Sequence, residues 1–196
     1  MANQDAPFGF RQVGGLGSRP TSEGTSKYTI ASGFADSIFA GDVVEAGAGT
    51  SEGGTAIAAG YVGNAAETSS ARNLGIFNGC FYTDPTTSKP TFKNYWPASV
   101  SAEAQAFVYD NPDDLFEVQA EGTLVQATVA RAVDMAYTTG STINGRSKEE
   151  ISVTAGADLA VRVIRISGDP ANSDIGAPNA NWIVKFNEHI YYNYST

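Results

Sequence analysis

One cysteine and one histidine are all that 196 residues offer to thiol and imidazole chemistry. Cys80 cannot close a disulfide within the chain, so oxidative cross-linking has no expected part in the fold. With His189 as the single imidazole, a zinc site of the usual nitrogen–sulfur kind has too few ligands. Charge is scarce too. Asp, Glu, Lys and Arg make up 17% of the residues, against about a quarter in ordinary soluble domains. Positive charge is scarcer still: 12 Lys and Arg stand against 21 Asp and Glu, for a net −9. No Lys or Arg lies between Lys93 and Arg131, a stretch that carries Glu103, Asp110, Asp113, Asp114, Glu117 and Glu121. Such a stretch repels a phosphate backbone, so nucleic acid is not an expected partner. No apolar run approaches 18 residues, so no membrane partner is expected either. The first ten residues lack the basic start and apolar middle of a signal peptide, and the expected place of synthesis is a cytoplasm.

What is present favours strands and turns. Gly occurs 21 times, and Ala, Ser and Thr are common, a composition suited to short strands with many turns. Residues 1–26 hold five Gly and two Pro around Phe8, Phe10, Val13 and Leu16. That density of Gly and Pro opposes regular structure. The segment reads either as a loose tail or, because disordered segments are usually poor in aromatics, as an extended arm. In the second reading Phe8, Phe10 and Leu16 anchor it on a partner and Arg11 clamps it. Its net charge, near +1, suits an acidic neighbour.

From residue 27 onward, alternation predicts strands at 27–31, 43–44, 55–62, 74–82, 90–96, 105–109, 115–119, 159–163 and 182–192. Apolar residues on both faces of 74–82 predict a strand covered on both sides. Residues 82–91 read as a hairpin loop. Residues 110–114 read as the turn of a second hairpin, with Gln105, Phe107 and Tyr109 on one face of its first strand. Residues 123–138 fit a helical stripe and an alternating strand, and are read as a helical turn followed by a strand. Cys80, within an apolar run, reads as a buried thiol. The expectation is an all-β fold, mainly an antiparallel barrel or sandwich of jelly-roll type, over residues 27–196, preceded by the arm, with at most one or two short helices.

The chain offers few groups for chemistry. His189 falls on the more polar side of its strand, which suggests a surface or hydrogen-bonded imidazole and not a catalytic one. Asp110, Asp113 and Asp114 could bind calcium through oxygen, but Asn-Pro-Asp is ordinary turn chemistry and the spacing is not that of an EF-hand. The Gly-Gly-Leu-Gly at 14–17 lacks the Lys and the preceding strand that a phosphate loop requires. No carboxylate pair stands out as an acid and base. Neither an enzyme nor a cofactor is expected. Tyr95, Trp96 and the aromatics of the C-terminal segment are either core or the seam of a subunit interface, where Tyr and Trp are enriched.

Several segments carry a resemblance: Met-Ala-Asn-Gln-Asp-Ala-Pro-Phe-Gly-Phe-Arg (1–11), Leu-Gly-Ile-Phe-Asn-Gly-Cys-Phe-Tyr-Thr-Asp (74–84), Asn-Tyr-Trp-Pro-Ala (94–98), Leu-Phe-Glu-Val-Gln (115–119) and Trp-Ile-Val-Lys-Phe-Asn-Glu-His (182–189). In this order they resemble capsid decoration, or cement, proteins of tailed bacteriophages, including marine and cyanobacterial ones. The resemblance implies a small β-rich oligomer on the outside of the phage head, made in the bacterial host's cytoplasm. The implied partners are the major capsid protein and further copies of the chain, a trimer ahead of a dimer. Phe8, Phe10, Arg11, Leu16, Tyr95 and Trp96 are the candidate partner-binding residues. A glycan- or receptor-binding β module on the virion surface, using Trp96 as an exposed platform, is the alternative.

Overall fold

The computed structural model describes residues 2–17, 24–67 and 72–192. Among them, fourteen strands follow one another: β1 (Arg11–Gly15), β2 (Ser26–Ile30), β3 (Ile38–Phe39), β4 (Val43–Ala46), β5 (Val62–Asn64), β6 (Asn73–Thr83), β7 (Pro90–Lys93), β8 (Tyr95–Trp96), β9 (Ala104–Tyr109), β10 (Asp114–Gln119), β11 (Ala132–Ala136), β12 (Glu150–Gly156), β13 (Val161–Ile166) and β14 (Asn181–Phe186). A single 3-10 turn, Gln126–Thr128, precedes β11, as the stripe at 123–138 suggests. No helix of the described residues is long and apolar enough to cross a membrane.

The fold is all-β and antiparallel, as expected, and sandwich-like without closing into a barrel. One sheet runs β1-β10-β14-β13-β11-β12 and the other β2-β9-β6-β4-β5, with β7 beside β6; β3 and β8 form a separate ribbon. Two hydrophobic cores result. The first lies under the first sheet and holds Phe10, Phe116, Val118, Trp182, Val184 and Phe186. The second lies on the far side of the other sheet, around Phe77, Leu74, Tyr82, Trp96 and Val108.

Strands β4 and β6 serve both cores. Val43 points into the first core and Val44 into the second, and Ile76 and Phe77 divide in the same way. This is the two-sided burial that the apolar run at 74–82 predicts.

The register corrects several expectations. Strands β9 and β10 are not a hairpin: β9 pairs with β2 and β6, and β10 with β1 and β14. The turn at 110–113 instead carries the chain from one sheet to the other. Its chemistry is that of a turn, with Asp113 N–H donating to Asn111 Oδ1 and Asp114 N–H to Asn111 O. The strand expected at 55–62 is absent. Tyr61 N–H closes a turn on Ala58 O, Gly60 adopts a φ of +85°, and β5 begins only at Val62. By contrast, β6 and β7 form the hairpin anticipated around residues 82–91, pairing Thr83 with Pro90.

The segment before β1 belongs to the same folded unit. Asn3 Nδ2 donates to Pro178 O, Gln4 N–H to Asn172 Oδ1 and Ala6 N–H to Gln119 Oε1. Phe10 N–H donates to Gly41 O, and the Phe10 ring is 3% exposed within the first core. Residues 2–15 are therefore not a free arm. Burying Phe10 is worth about 1.5–3 kcal/mol, which offsets the ordering of a short segment at home as well as it would on a partner. Of the expected arm, residues 1 and 18–23 lie outside the described residues, as do 68–71 and 193–196.

Candidate functional site

The structure divides the six residues singled out from the sequence. Trp96 is fully buried in the second core, its indole N–H donating to Phe34 O at 3.0 Å and its ring edge-on to Tyr82. Trp96 and Phe10 are core residues, 0% and 3% exposed. Tyr95 is half-buried and stacks on Phe39 at 5.6 Å, with the Lys93 ammonium 5.4 Å from its ring centre. Phe8, Arg11 and Leu16 stay accessible, and Leu16 is 43% exposed.

One accessible aromatic cluster is hidden by the sequence pattern. Phe81 and Phe92 lie opposite each other on β6 and β7, and the Phe92 ring meets Phe107 of β9 at 6.1 Å. Phe92 is 57% exposed and Phe81 40%. The cause is a bulge in β6 between Phe77 and Cys80. One extra residue reverses the side-chain parity beyond it, so Phe77 is buried whereas Phe81, four residues on, faces outward. Gly79 at the bulge has a φ of +119°, and a Cβ there would sit 2.9 Å from both the Phe92 ring and Lys93 O. The missing side chain is what lets Phe92 lie across the strand and reach Phe107. Asn78-Gly79 within an apolar run is the sequence signal for such a bulge. Phe107 shares a β9 face with Tyr109, which packs against the first core. The Phe cluster thus continues a sheet face whose other end is covered by the first sheet.

Where covered and open parts meet, a cleft of about 390 Å³ opens. Phe8, Phe10 and Arg11 line it together with Asn78, Tyr109 and Arg146. The Arg11 guanidinium lies 5.1 Å from the centre of the Phe8 ring and pairs with Glu117, which also accepts from Ser167.

Apart from this cleft, the chain holds a pair of buried acids. Asp42 is 0% exposed and Glu149 2%. Asp42 Oδ2 accepts Phe39 N–H at 2.7 Å and Glu149 Oε2 accepts Val43 N–H at 2.8 Å, while Asp42 Oδ1 has no partner. Burial pushes the Asp42 carboxyl up to about 7, against its bonds to Phe39 and Ser147. Burial and then the neighbouring Asp42 hold Glu149 well above the usual range, with Glu52 and Glu67 adding to it. Two carboxylates cannot both ionise cheaply there, so the pair retains a proton near neutrality.

His189 is the hydrogen-bonded imidazole of the two expected and not the surface one, for it is 0% exposed. It sits beyond the end of β14, where strand alternation no longer sets its direction, among Phe186, Tyr191 and Tyr192. Its Nδ1 accepts Tyr191 N–H at 3.2 Å. Burial pulls its pKa below the usual value, opposed by the Leu74 backbone and Asp110. Cys80 is the buried thiol expected, pushed up to about 12 by burial. Of the three turn acids, Asp110 accepts from Tyr28, Asp113 from Lys185 and Tyr192, and Asp114 from Gln12 and Asn111. Among the described residues no group of three His, Cys, Asp or Glu is arranged to hold a metal. Comparison with protein-family models, with curated proteins and with solved structures gives no match.

Proposed function

We propose that this chain is a structural virion protein: a decoration or cement protein that binds the outside of a tailed phage's major capsid protein lattice and stabilises the head. It works by protein–protein contact, as a homo-oligomer, a trimer ahead of a dimer. The observation that carries the reading is the Phe81–Phe92–Phe107 cluster on an open sheet face, with Phe81 and Phe92 exposed. Adjacent exposed aromatics on a rigid sheet are the usual centre of a protein interface. Burying each Phe contributes about 1.5–3 kcal/mol, one to two decades of affinity. A protein that binds only the assembled shell stabilises it by that binding free energy, and symmetric repetition adds avidity. The glycan-binding alternative relied on Trp96 as an exposed platform, and its burial leaves that reading without its aromatic.

The test is mass spectrometry of gradient-purified virions, followed by a density map of the particle. The expected result is the chain at fixed stoichiometry outside the capsid lattice, with Phe92 in a contact. A Phe92→Glu chain should keep its fold and lose particle binding by tenfold or more. Absence from purified virions, or undiminished decoration by Phe92→Glu, would refute the proposal.

A further inference from the structure

The cleft between the N-terminal segment and β6 deepens that reading. We propose that it binds a short acidic peptide of a protein partner, taking one carboxylate between Arg11 and Arg146 and the adjoining apolar side chain against Phe8 and Tyr109.

Arginine is rare in this acidic chain, yet two of its seven arginines line one cleft. They are not equivalent. Arg11 is already paired with Glu117. Arg146 is exposed, and its guanidinium has no partner among the described residues, although its backbone is fixed by bridges to Ala40 and Ser141. Of the two guanidiniums that line the cleft, one is already paired, which leaves the Arg146 guanidinium uncommitted. A single carboxylate balances it, whereas a phosphate dianion would be left in excess. Asp114 behind Gln12, itself held by Gln12 and Asn111, disfavours the dianion further.

The uncharged lining selects within the carboxylates. A sugar acid would need free donors and acceptors for its hydroxyls. The Gln12 amide already donates to Asp114, and Asn78 Nδ2 to Tyr109 Oη at 3.1 Å. Beside the guanidiniums the lining offers the rings of Phe8 and Tyr109, with room in about 390 Å³ for one carboxylate and one apolar side chain. A planar guanidinium beside aromatic faces suits a carboxylate carried on an apolar body.

This inference rests on the chain being a protein-binding module, but its test uses the isolated chain. Acetyl-Leu-Glu-Leu-amide, its Gln counterpart, glucuronate and inorganic phosphate are each titrated into the full chain, followed by amide chemical shifts. The Glu peptide should shift the amides of residues 8–12 and 145–147, and bind roughly tenfold or more tightly than the Gln peptide. Arg146→Ala should weaken the Glu peptide by a similar factor. Lys148→Ala, which removes an equal charge two residues away, should leave it unchanged. Equal binding of the two peptides, no binding by either, no effect of Arg146→Ala, or tighter binding of glucuronate or phosphate would each overturn the proposal. Because no particle is present, that failure is distinct from absence of the chain in virions.

Discussion

Gly9 decides how the N-terminal segment docks. Its φ is +74°, and a Cβ there would lie 2.4 Å from Ser147 Cβ and 2.8 Å from Gly41 O. Neither backbone nor a short serine can yield that space. Gly9→Ala should therefore undo the docking that Phe10 completes, and Phe10→Ala should itself cost about 3–5 kcal/mol. At about 2–4 °C per kcal/mol for a chain of this size, each variant should melt several degrees below wild type by circular dichroism. Unchanged melting would restore the idea of a free arm. The buried acid pair makes a second prediction at this scale. Asp42 has a raised folded pKa, so its contribution to stability is complete below the ordinary value of 3.8. It is lost as pH climbs through about 7. Glu149 and Glu150 are pushed the same way, Glu150 by burial and then Asp5 and Glu121. Comparing variants isolates Asp42. Asp42→Asn should gain stability relative to wild type between pH 5 and pH 8, in urea titrations at each pH. A difference that shrinks with rising pH would contradict the assignment.

At the scale of elements, β6 shows why alternation was readable and faces were not. The run at 74–82 announces a two-sided strand, and β6 is one as far as Phe77. A single bulge at Asn78-Gly79 then reverses which residues are buried, and periodicity has no means of counting a residue that pairs with nothing. β9 shows a related limit. Gln105, Phe107 and Tyr109 do share a face, but the second core takes the opposite one, Ala104, Ala106 and Val108. The turn at 110–114 was legible as a turn, whereas its crossing between sheets depends on long-range pairing that no local signal carries. The cleft is of the same kind: Arg11 and Arg146 are 135 positions apart and meet only through the fold. The bulge gives a sharp prediction. Gly79→Val adds a side chain into Phe92 and Lys93 O, so it should displace Phe92 from Phe107. Loss of ring-current-shifted aromatic proton signals with retained far-UV circular dichroism is the expected result, and an unchanged aromatic spectrum would argue against the bulge as the origin of the exposed cluster.

At the scale of the molecule, the two cores are held to one transition by shared strands. Val43 and Ile76 belong to the first core and their neighbours Val44 and Phe77 to the second. Melting either core strips one face of β4 and β6, and a strand without one face does not keep the other. The Glu149 bond to Val43 N–H ties the segment before β12 of the first sheet to β4 of the second. The chain carries its own probes of this coupling, since Trp182 is fully buried in the first core and Trp96 in the second. In Trp96→Phe only the first core fluoresces, and in Trp182→Phe only the second. The two substitutions will lower stability by different amounts, so midpoints are not compared between variants. Within each variant, the urea transition followed by tryptophan fluorescence should superimpose on that followed by far-UV circular dichroism, with one slope. A core that melted alone would separate the two curves in at least one variant, and β4 and β6 would then have to hold a second core on a sheet stripped of its first.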